Sequence, residues 1–181
     1  MKVLVIPGSA RPNSVGNAVI AHVEGDLAAR EGIEVTVATL DDISLPLLDT
    51  PVVPAFDDFV IEHDKVAAWT EKVGAADAFV LLVPEYNSSV TAIQKNSLDW
   101  VYKQWNGKRV AIVTYNFYEK KSAVEAITPV LNSLQLTIVE PIAGLRIGEE
   151  FAPDGAVLNE EAIVAKIGDA MSSLLELAPV S

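Results

Sequence analysis

The 181-residue sequence contains no cysteine. Without a thiol the chain cannot form a disulfide, use a thiolate nucleophile, or hold zinc or an iron–sulfur cluster through cysteine ligands. Residues 1–7 are too short for the apolar core of a signal peptide. No stretch approaches the ~18 apolar residues of a membrane-spanning helix. We therefore expect a cytoplasmic protein without a membrane span.

Basic residues are scarce, with 13 Lys and Arg against 25 Asp and Glu, which gives a formal net charge of −12 and a pI near 4.5. Nucleic-acid binding and polybasic membrane attachment both need clustered basic side chains. The balance therefore argues against a nucleic acid or a membrane surface as a partner. The acidity is expected to serve solubility.

Several motifs of known chemistry are also missing. No G-x-G-x-x-G follows the first predicted strand, which argues against a Rossmann-type dinucleotide site. No G-x-x-x-x-G-K-[ST] and no G-x-S-x-G occurs, which excludes a P-loop NTPase and a nucleophile elbow. The two histidines, His22 and His63, are expected on helix surfaces. The acidic residues form no metal-ligand pattern, so no metal site is expected.

Strand-like and helix-like segments alternate along the whole chain. This pattern predicts an α/β fold, a three-layer sandwich over a five-stranded parallel sheet, formed as one domain over residues 1–181. Residues 41–62 are expected to be a long irregular connection. The predicted strands are 3–6, 35–40, 78–83, 109–114 and 136–139, and the predicted helices are 15–30, 63–73, 92–105, 122–134 and 159–177.

The polar turn at residues 84–89 (PEYNSS) follows the continuous apolar strand 78–83. Open parallel sheets bind ligands at the carboxyl ends of their strands. Tyr86 offers a face for stacking and Asn87 an amide that can pair with a heterocycle. The alternative is a capped helix entrance in which Tyr86 is merely packed.

Two further turns follow other strands. Residues 8–14 (GSARPNS) precede a helix, where Ser9, Ser14 and Arg11 could bind a phosphate together with the helix N-terminus. A Ser14 helix cap beside a solvated Arg11 is the alternative. Residues 115–119 (YNFYE) follow the fourth strand and hold three aromatic rings. Because all three turns share one sheet edge, they predict a crevice with a phosphate anchor and aromatic walls, which is the shape of a mononucleotide with a flat ring, such as FMN.

The helix predicted over 92–105 is unusually apolar for a surface helix. Its apolar positions cover about half of the circumference at ~100° per residue. We expect this face to form a homo-oligomer interface, and the alternative is that a loop or tail covers it. The positions are Ile93, Leu98, Trp100, Val101, Tyr102 and Trp105.

At these motifs the sequence resembles a known family. Residues 8–16 (GSARPNSVG) resemble the phosphate loop of the NADPH-dependent FMN reductases, a family of flavodoxin-like proteins. Residues 84–89 with 95–100 (KNSLDW) resemble its second signature, and 107–113 (GKRVAIV) its entry into the fourth strand. The resemblance covers roughly residues 2–145.

This resemblance implies a flavodoxin-like sheet of order 2-1-3-4-5 with bound FMN. NADPH or NADH would pass hydride to FMN, and a quinone, azo dye, metal oxyanion or flavin would accept the electrons. It also implies a homodimer or homotetramer through residues 95–105. The implied FMN contacts are Ser9, Arg11, Ser14, Val15, Gly16 and Asn17 at the phosphate, Pro84, Glu85, Tyr86 and Asn87 along the ring, and Tyr115, Asn116 and Phe117 at its other edge.

The chain departs from the family after the fourth strand. The family usually has a glycine-rich turn there, whereas residues 116–121 (NFYEKK) contain no glycine. Phe117 and Tyr118 are expected to narrow the crevice or to weaken flavin binding. Lys120 and Lys121 could attract the phosphate of NADPH, or could simply be solvated at a helix start. A flavodoxin-like electron carrier and a flavin-free binding protein are the alternative functions.

Overall fold

The computed structural model describes residues 1–12, 15–118 and 121–176. Its strands form one sheet of order β2-β1-β3-β4-β5, and every recorded strand pairing is parallel. This confirms the predicted α/β class and the strand order 2-1-3-4-5. The strands are β1 Lys2–Ile6, β2 Glu34–Val37, β3 Ala78–Pro84, β4 Arg109–Asn116, β5 Thr137–Ile138 and β6 Ala143–Arg146.

Helices cover both faces of the sheet, which confirms the three-layer sandwich. One core packs α1 and α6 against alternate strand residues, and the other packs α3, α4 and α5 against the remaining ones. All seven residues of β3 are buried, as its continuous apolar run predicts. The helices are α1 Val15–Ala28, α2 Leu40–Ile43, α3 Asp64–Ala75, α4 Ala92–Asp99, α5 Ser122–Ser133 and α6 Glu160–Glu176.

The helix expected over 92–105 is shorter than predicted. α4 ends at Asp99, and Trp100 caps it by donating its backbone N–H to the carbonyl oxygen of Asn96 at 3.3 Å. The chain then turns through residues 103–107, where Gly107 has a φ of +74°. Because the apolar residues after 99 are not on a helix, they do not form the wide exposed stripe that the periodicity predicted.

Residues 44–62, here called the covering segment, lie over α4 and its end. The Asn96 Nδ2 donates to the carbonyl oxygens of Leu45 and Pro46, and Trp100 Nε1 donates to Pro46 at 2.7 Å. The ring of Phe59 lies 6.5 Å from that of Trp100. These contacts bury Trp100 within the chain. A loop that covers the apolar face, the alternative to an oligomer interface, is therefore what the structure shows.

The fifth sheet position is filled by two short strands instead of one. β5 pairs with residues 109–110 of β4, and β6 pairs with residues 113–116 near the carboxyl end of β4. The sequence analysis predicted no strand between 139 and 159, so it missed β6. Within residues 1–12, 15–118 and 121–176, no helix is both long and apolar enough to cross a membrane.

Candidate functional site

A cavity of about 440 Å³, here called the crevice, opens where β1, β3, β4 and β6 end. It brings together the three turns that the sequence analysis singled out. The lining residues that were predicted are Ser9, Arg11, Val15, Pro84, Glu85, Tyr86, Asn87, Tyr115, Asn116 and Phe117.

Two predicted phosphate contacts do not line the crevice in the described structure. Gly16 is buried in the first turn of α1, and Asn17 is exposed without lining the cavity. The first turn of a helix directs successive side chains about 100° apart, so the side chains of residues 15–17 point in different directions, whereas their backbone N–H groups all point toward the helix N-terminus. Ser14 lies outside the described residues.

The first turn is held against β3 through Gly8. Thr91 Oγ1 donates to the carbonyl oxygen of Gly8 at 2.5 Å, and Gln94 Nε2 donates to that of Leu82 at 2.9 Å. A Cβ at position 8 would overlap the carbonyl oxygen of Leu82 and the Cδ of Pro84. Only glycine lets the two turns approach this closely. Thr91 and Gln94 therefore position the site, a role that the sequence analysis missed.

Polar groups of the first turn face the second turn. Ser9 Oγ accepts a hydrogen bond from the Arg11 backbone N–H at 3.2 Å and is hydrogen bonded to the Tyr86 hydroxyl at 3.1 Å. Arg11 is exposed at this end of the crevice. The phosphate end and the aromatic end of the predicted site are thus linked by one hydrogen bond.

The second turn is a tight two-residue hairpin. The backbone N–H and C=O groups of Tyr86 and Ser89 bond to each other at 2.8 and 3.0 Å. Asn87 and Ser88 between them have φ values of +50° and +62°. Two successive positive φ values define a type I′ turn, which is strained for serine. The hairpin fixes Tyr86 at the mouth of the crevice, so it is more than a capped helix entrance.

The third turn places aromatic rings at different depths. Tyr115 is buried, and burial together with the nearby Tyr86 raises the pKa of its hydroxyl well above the ordinary value. This phenol therefore stays neutral. Phe117 and Tyr118 are 52% and 67% exposed at the mouth. Asn116 Oδ1 accepts the backbone N–H of Tyr118 at 3.0 Å, which holds the turn.

The crevice also contains residues that the sequence analysis missed as ligand contacts. Ile147 and Pro153 follow β6, and no signal pointed to them because that strand was not predicted. Pro12, Ser88 and Tyr118 belong to the predicted turns themselves. The described residues contain no cluster of three His, Asp or Glu side chains that could hold a metal ion.

Several proteins with similar sequences are named as FMN reductases. A NAD(P)H-dependent FMN reductase of Nectria sp is 31% identical over 157 residues, which are 83% of this chain and 76% of that protein. Another from Schizosaccharomyces pombe is 31% identical over 159 residues, 86% and 78% of the two chains. Other relatives are named as quinone reductases and an azoreductase.

Solved structures share the fold. FerB, a flavoenzyme NAD(P)H:(acceptor) oxidoreductase from Paracoccus denitrificans, superposes with a TM-score of 0.72 at 21% identity over 96% of this chain and 94% of FerB. The sequence profile described as NADPH-dependent FMN reductase matches residues 1–147. The chain thus belongs to the NADPH-dependent FMN reductase family, oxidoreductases that use FMN and NAD(P)H.

Proposed function

We propose that the crevice holds FMN with its phosphate at Arg11 and its ring beside Tyr86 and Tyr115, and that the protein reduces small planar acceptors with NAD(P)H. The convergence of three turns on one 440 Å³ cavity carries this proposal. That volume is within the range of ordinary small-molecule sites.

The phosphate end suits a dianion. Arg11 places a positively charged guanidinium there, although the chain as a whole has a net charge of −12. Ser9 adds a hydroxyl, and α1 begins next to it at Val15 with the positive end of its dipole. A charge-assisted contact of this type contributes about 1.5–3 kcal/mol to binding.

The ring end offers both stacking surfaces and an unsatisfied acceptor. Glu85 Oε2 is buried and has no hydrogen-bond partner in the described structure. A buried acceptor is costly unless a donor reaches it, and an N–H of a heterocycle in the crevice would be such a donor. The neutral Tyr115 and the mouth residue Tyr86 then border the ring without adding charge to it.

Bound FMN supplies the hydride chemistry, and this chain supplies binding and orientation. The hairpin at 86–89 and the Gly8 contact fix the two turns relative to each other. Phe117 and Tyr118 shield the mouth from water and limit which acceptor can enter. No side chain has to act as a nucleophile, which agrees with a sequence without cysteine.

The acceptor is proposed to be a quinone or an azo compound. Relatives at 30–34% identity carry those activities in their names. The exposed rings of Phe117 and Tyr118 suit a flat aromatic acceptor, because offset stacking of rings is favourable. The glycine-free third turn is then a specificity element of this chain.

A homo-oligomer is proposed as well, but through a different surface from the one expected. The covering segment exposes Leu47, Phe56 and Val60 to 78%, 60% and 68%. Exposed large apolar and aromatic side chains are a feature of protein interfaces. Phe56→Glu should convert a dimer or tetramer to monomer in analytical ultracentrifugation, and an unchanged mass would rule out this surface. The cytoplasmic location stays a prediction.

The visible spectrum of the purified protein tests the central proposal. We expect flavin absorbance, or its recovery on adding FMN, and rapid bleaching when NADPH or NADH is mixed in a stopped-flow instrument. A protein that stays colourless in FMN would reject the cofactor site. Bound flavin that neither nucleotide bleaches would instead favour an electron carrier.

A further inference from the structure

A second cavity of about 600 Å³ lies beside the crevice, between the carboxyl half of β4, β6 and the start of α5. The two cavities share Asn116 and Tyr118 as wall residues. The second cavity and the proposed flavin site therefore adjoin at Asn116 and Tyr118. Its size exceeds that of the crevice.

Three basic side chains line this second cavity, namely Lys121, Arg146 and Lys166. The whole chain has only 13 Lys and Arg residues, so this grouping is unusual for so acidic a protein. Lys121 is exposed and forms no salt bridge within the described residues. Its charge is available to an anionic ligand.

The other two cations are held in place by neighbouring carboxylates. Lys166 Nζ lies 2.7 Å from Glu150 Oε1, and Glu150 Oε2 accepts the backbone N–H of Arg146 at 2.6 Å. Burial alone would raise the pKa of Glu150, but the Lys166 ammonium and this N–H hold it below the ordinary value. Arg146 pairs with Glu149 at 3.0 Å. These pairs orient the cations at the wall.

The rest of the cavity suits a nucleoside. Pro141, Ile142 and Leu145 provide apolar surface. Gly144 on β6 has open space where a side chain would stand, because a Cβ built there meets no atom within 4 Å. Glu140 also lines the wall, and one of its oxygens accepts the Ile142 backbone N–H at 3.1 Å. Its carboxylate reduces the attraction for phosphate.

We propose that this second cavity binds the phosphate-bearing adenosine half of NAD(P)H while the nicotinamide half reaches the crevice past Tyr118. The inference rests on the proposed function, since it assumes that the crevice is the flavin site. A crevice of 440 Å³ that holds FMN leaves no room for a whole dinucleotide. Lys and Arg side chains suit phosphate groups, and these three line the cavity that shares Asn116 and Tyr118 with the crevice.

The first test compares two reductants with the Lys121→Ala variant. NADPH carries the adenosine half, whereas reduced nicotinamide mononucleotide lacks it. We expect the KM for NADPH to rise about five- to thirtyfold and that for the mononucleotide to stay unchanged. Lys103→Ala, which removes a lysine paired with Asp57 on the covering segment, is the matched control. An equal effect of Lys121→Ala on both reductants would overturn the assignment.

The second test fills the cavity without changing any charge. Gly144→Val adds a β-branched side chain on a strand into open space, so the fold is expected to tolerate it. It should raise the KM for NADPH and leave that for the mononucleotide unchanged. Gly25→Ala, in α1 with equally open surroundings, is the control for an added side chain. An unchanged NADPH KM in folded Gly144→Val would contradict the proposal.

A direct binding measurement distinguishes failure of the adenosine-site inference from failure of the proposed function. Isothermal titration of the FMN-supplemented protein with 2′,5′-ADP, 5′-AMP and inorganic phosphate needs no flavin reduction. We expect 2′,5′-ADP to bind, weakened by Lys121→Ala and strengthened by Glu140→Gln. Binding of inorganic phosphate alone, or no binding in a protein that NADPH does reduce, would overturn the inference while leaving the FMN site intact.

Discussion

Large aromatic side chains occupy two settings of opposite exposure. Trp69, Phe79 and Trp105 pack edge to face in one core, with the Phe79 and Trp105 ring centroids 4.6 Å apart. Phe117 and Tyr118 stand exposed at the mouth of the crevice. Aromatic side chains thus stabilise the fold where other segments of the chain cover them, and Phe117 and Tyr118, which are exposed, border the crevice.

The largest effect on stability is expected from Trp105→Ala. Trp105 is fully buried, so its removal leaves a cavity and should lower the free energy of unfolding by about 3–5 kcal/mol. Urea denaturation followed by fluorescence measures this. The FMN dissociation constant of the folded variant should stay unchanged. A stability loss below 1 kcal/mol would show that this cluster is not a main part of the core.

Arg11→Ala tests an exposed residue of the crevice instead of a buried residue of the core. It should weaken FMN binding by about 1.5–3 kcal/mol because a charge-assisted contact to phosphate is lost. Fluorescence titration with FMN gives the dissociation constant. Arg11→Lys keeps the charge but not the forked guanidinium, so its FMN affinity should lie between those of the wild type and Arg11→Ala. Equal affinities of all three proteins would reject the phosphate role of this residue.

Glu150 is a buried charged residue, in contrast to the exposed Arg11. Its pKa is lowered in the folded protein, so its stabilising effect is present above the ordinary value of 4.5 and is lost as the pH falls through the folded value. Glu150→Gln should reduce the free energy of unfolding at pH 7 by on the order of 1 kcal/mol. It should also flatten the fall in stability below pH 4.5. If the free energy of unfolding of the variant fell as steeply below pH 4.5 as that of the wild type, this expectation would be wrong.

Phe117→Gly is expected to have the smallest effect on stability, within about 0.5 kcal/mol, because the ring is exposed. It partly restores the glycine-rich turn that is usual in the family. If the ring narrows the crevice, FMN should bind more tightly in the same titration and the KM for a quinone should change. Leu158→Gly, at a position that is 56% exposed and does not line the crevice, is the control. Unchanged flavin and quinone constants would show that the turn does not shape the site.

The sequence was most informative where a prediction depended on the residues of one continuous segment. The run at 78–83 predicted a strand buried on both faces, and all of β3 is buried. The turns at 8–14, 84–89 and 115–119 were predicted to share one sheet edge, and the crevice contains residues of each. The resemblance added the FMN reductase family, which the comparisons confirm over residues 1–147. That result favours the reductase over the flavin-free alternative.

The errors arose where distant segments decide the outcome. Trp100 has the pattern of an exposed interface residue, but Pro46 accepts its indole N–H and the covering segment buries it. β6 is only four residues long and one of them is glycine, so it has no clear alternation of apolar and polar residues. Its pairing with β4 therefore could not be detected from the sequence. Lys121 was considered as a phosphate contact from its position alone, and the structure added Arg146 and Lys166 beside it.

The sequence by itself determined the alternation of strands and helices, the sheet edge at which the crevice opens and the family. The alternation follows from local periodicity, the edge from the rule that parallel strands end together, and the family from the resemblance of the motifs. Only the tertiary structure decided which apolar face is covered, how closely Gly8 approaches β3, and which cations meet beside β6. Such contacts join residues far apart in the chain, and their free energy depends on the shape and burial of both partners, which local pattern does not contain.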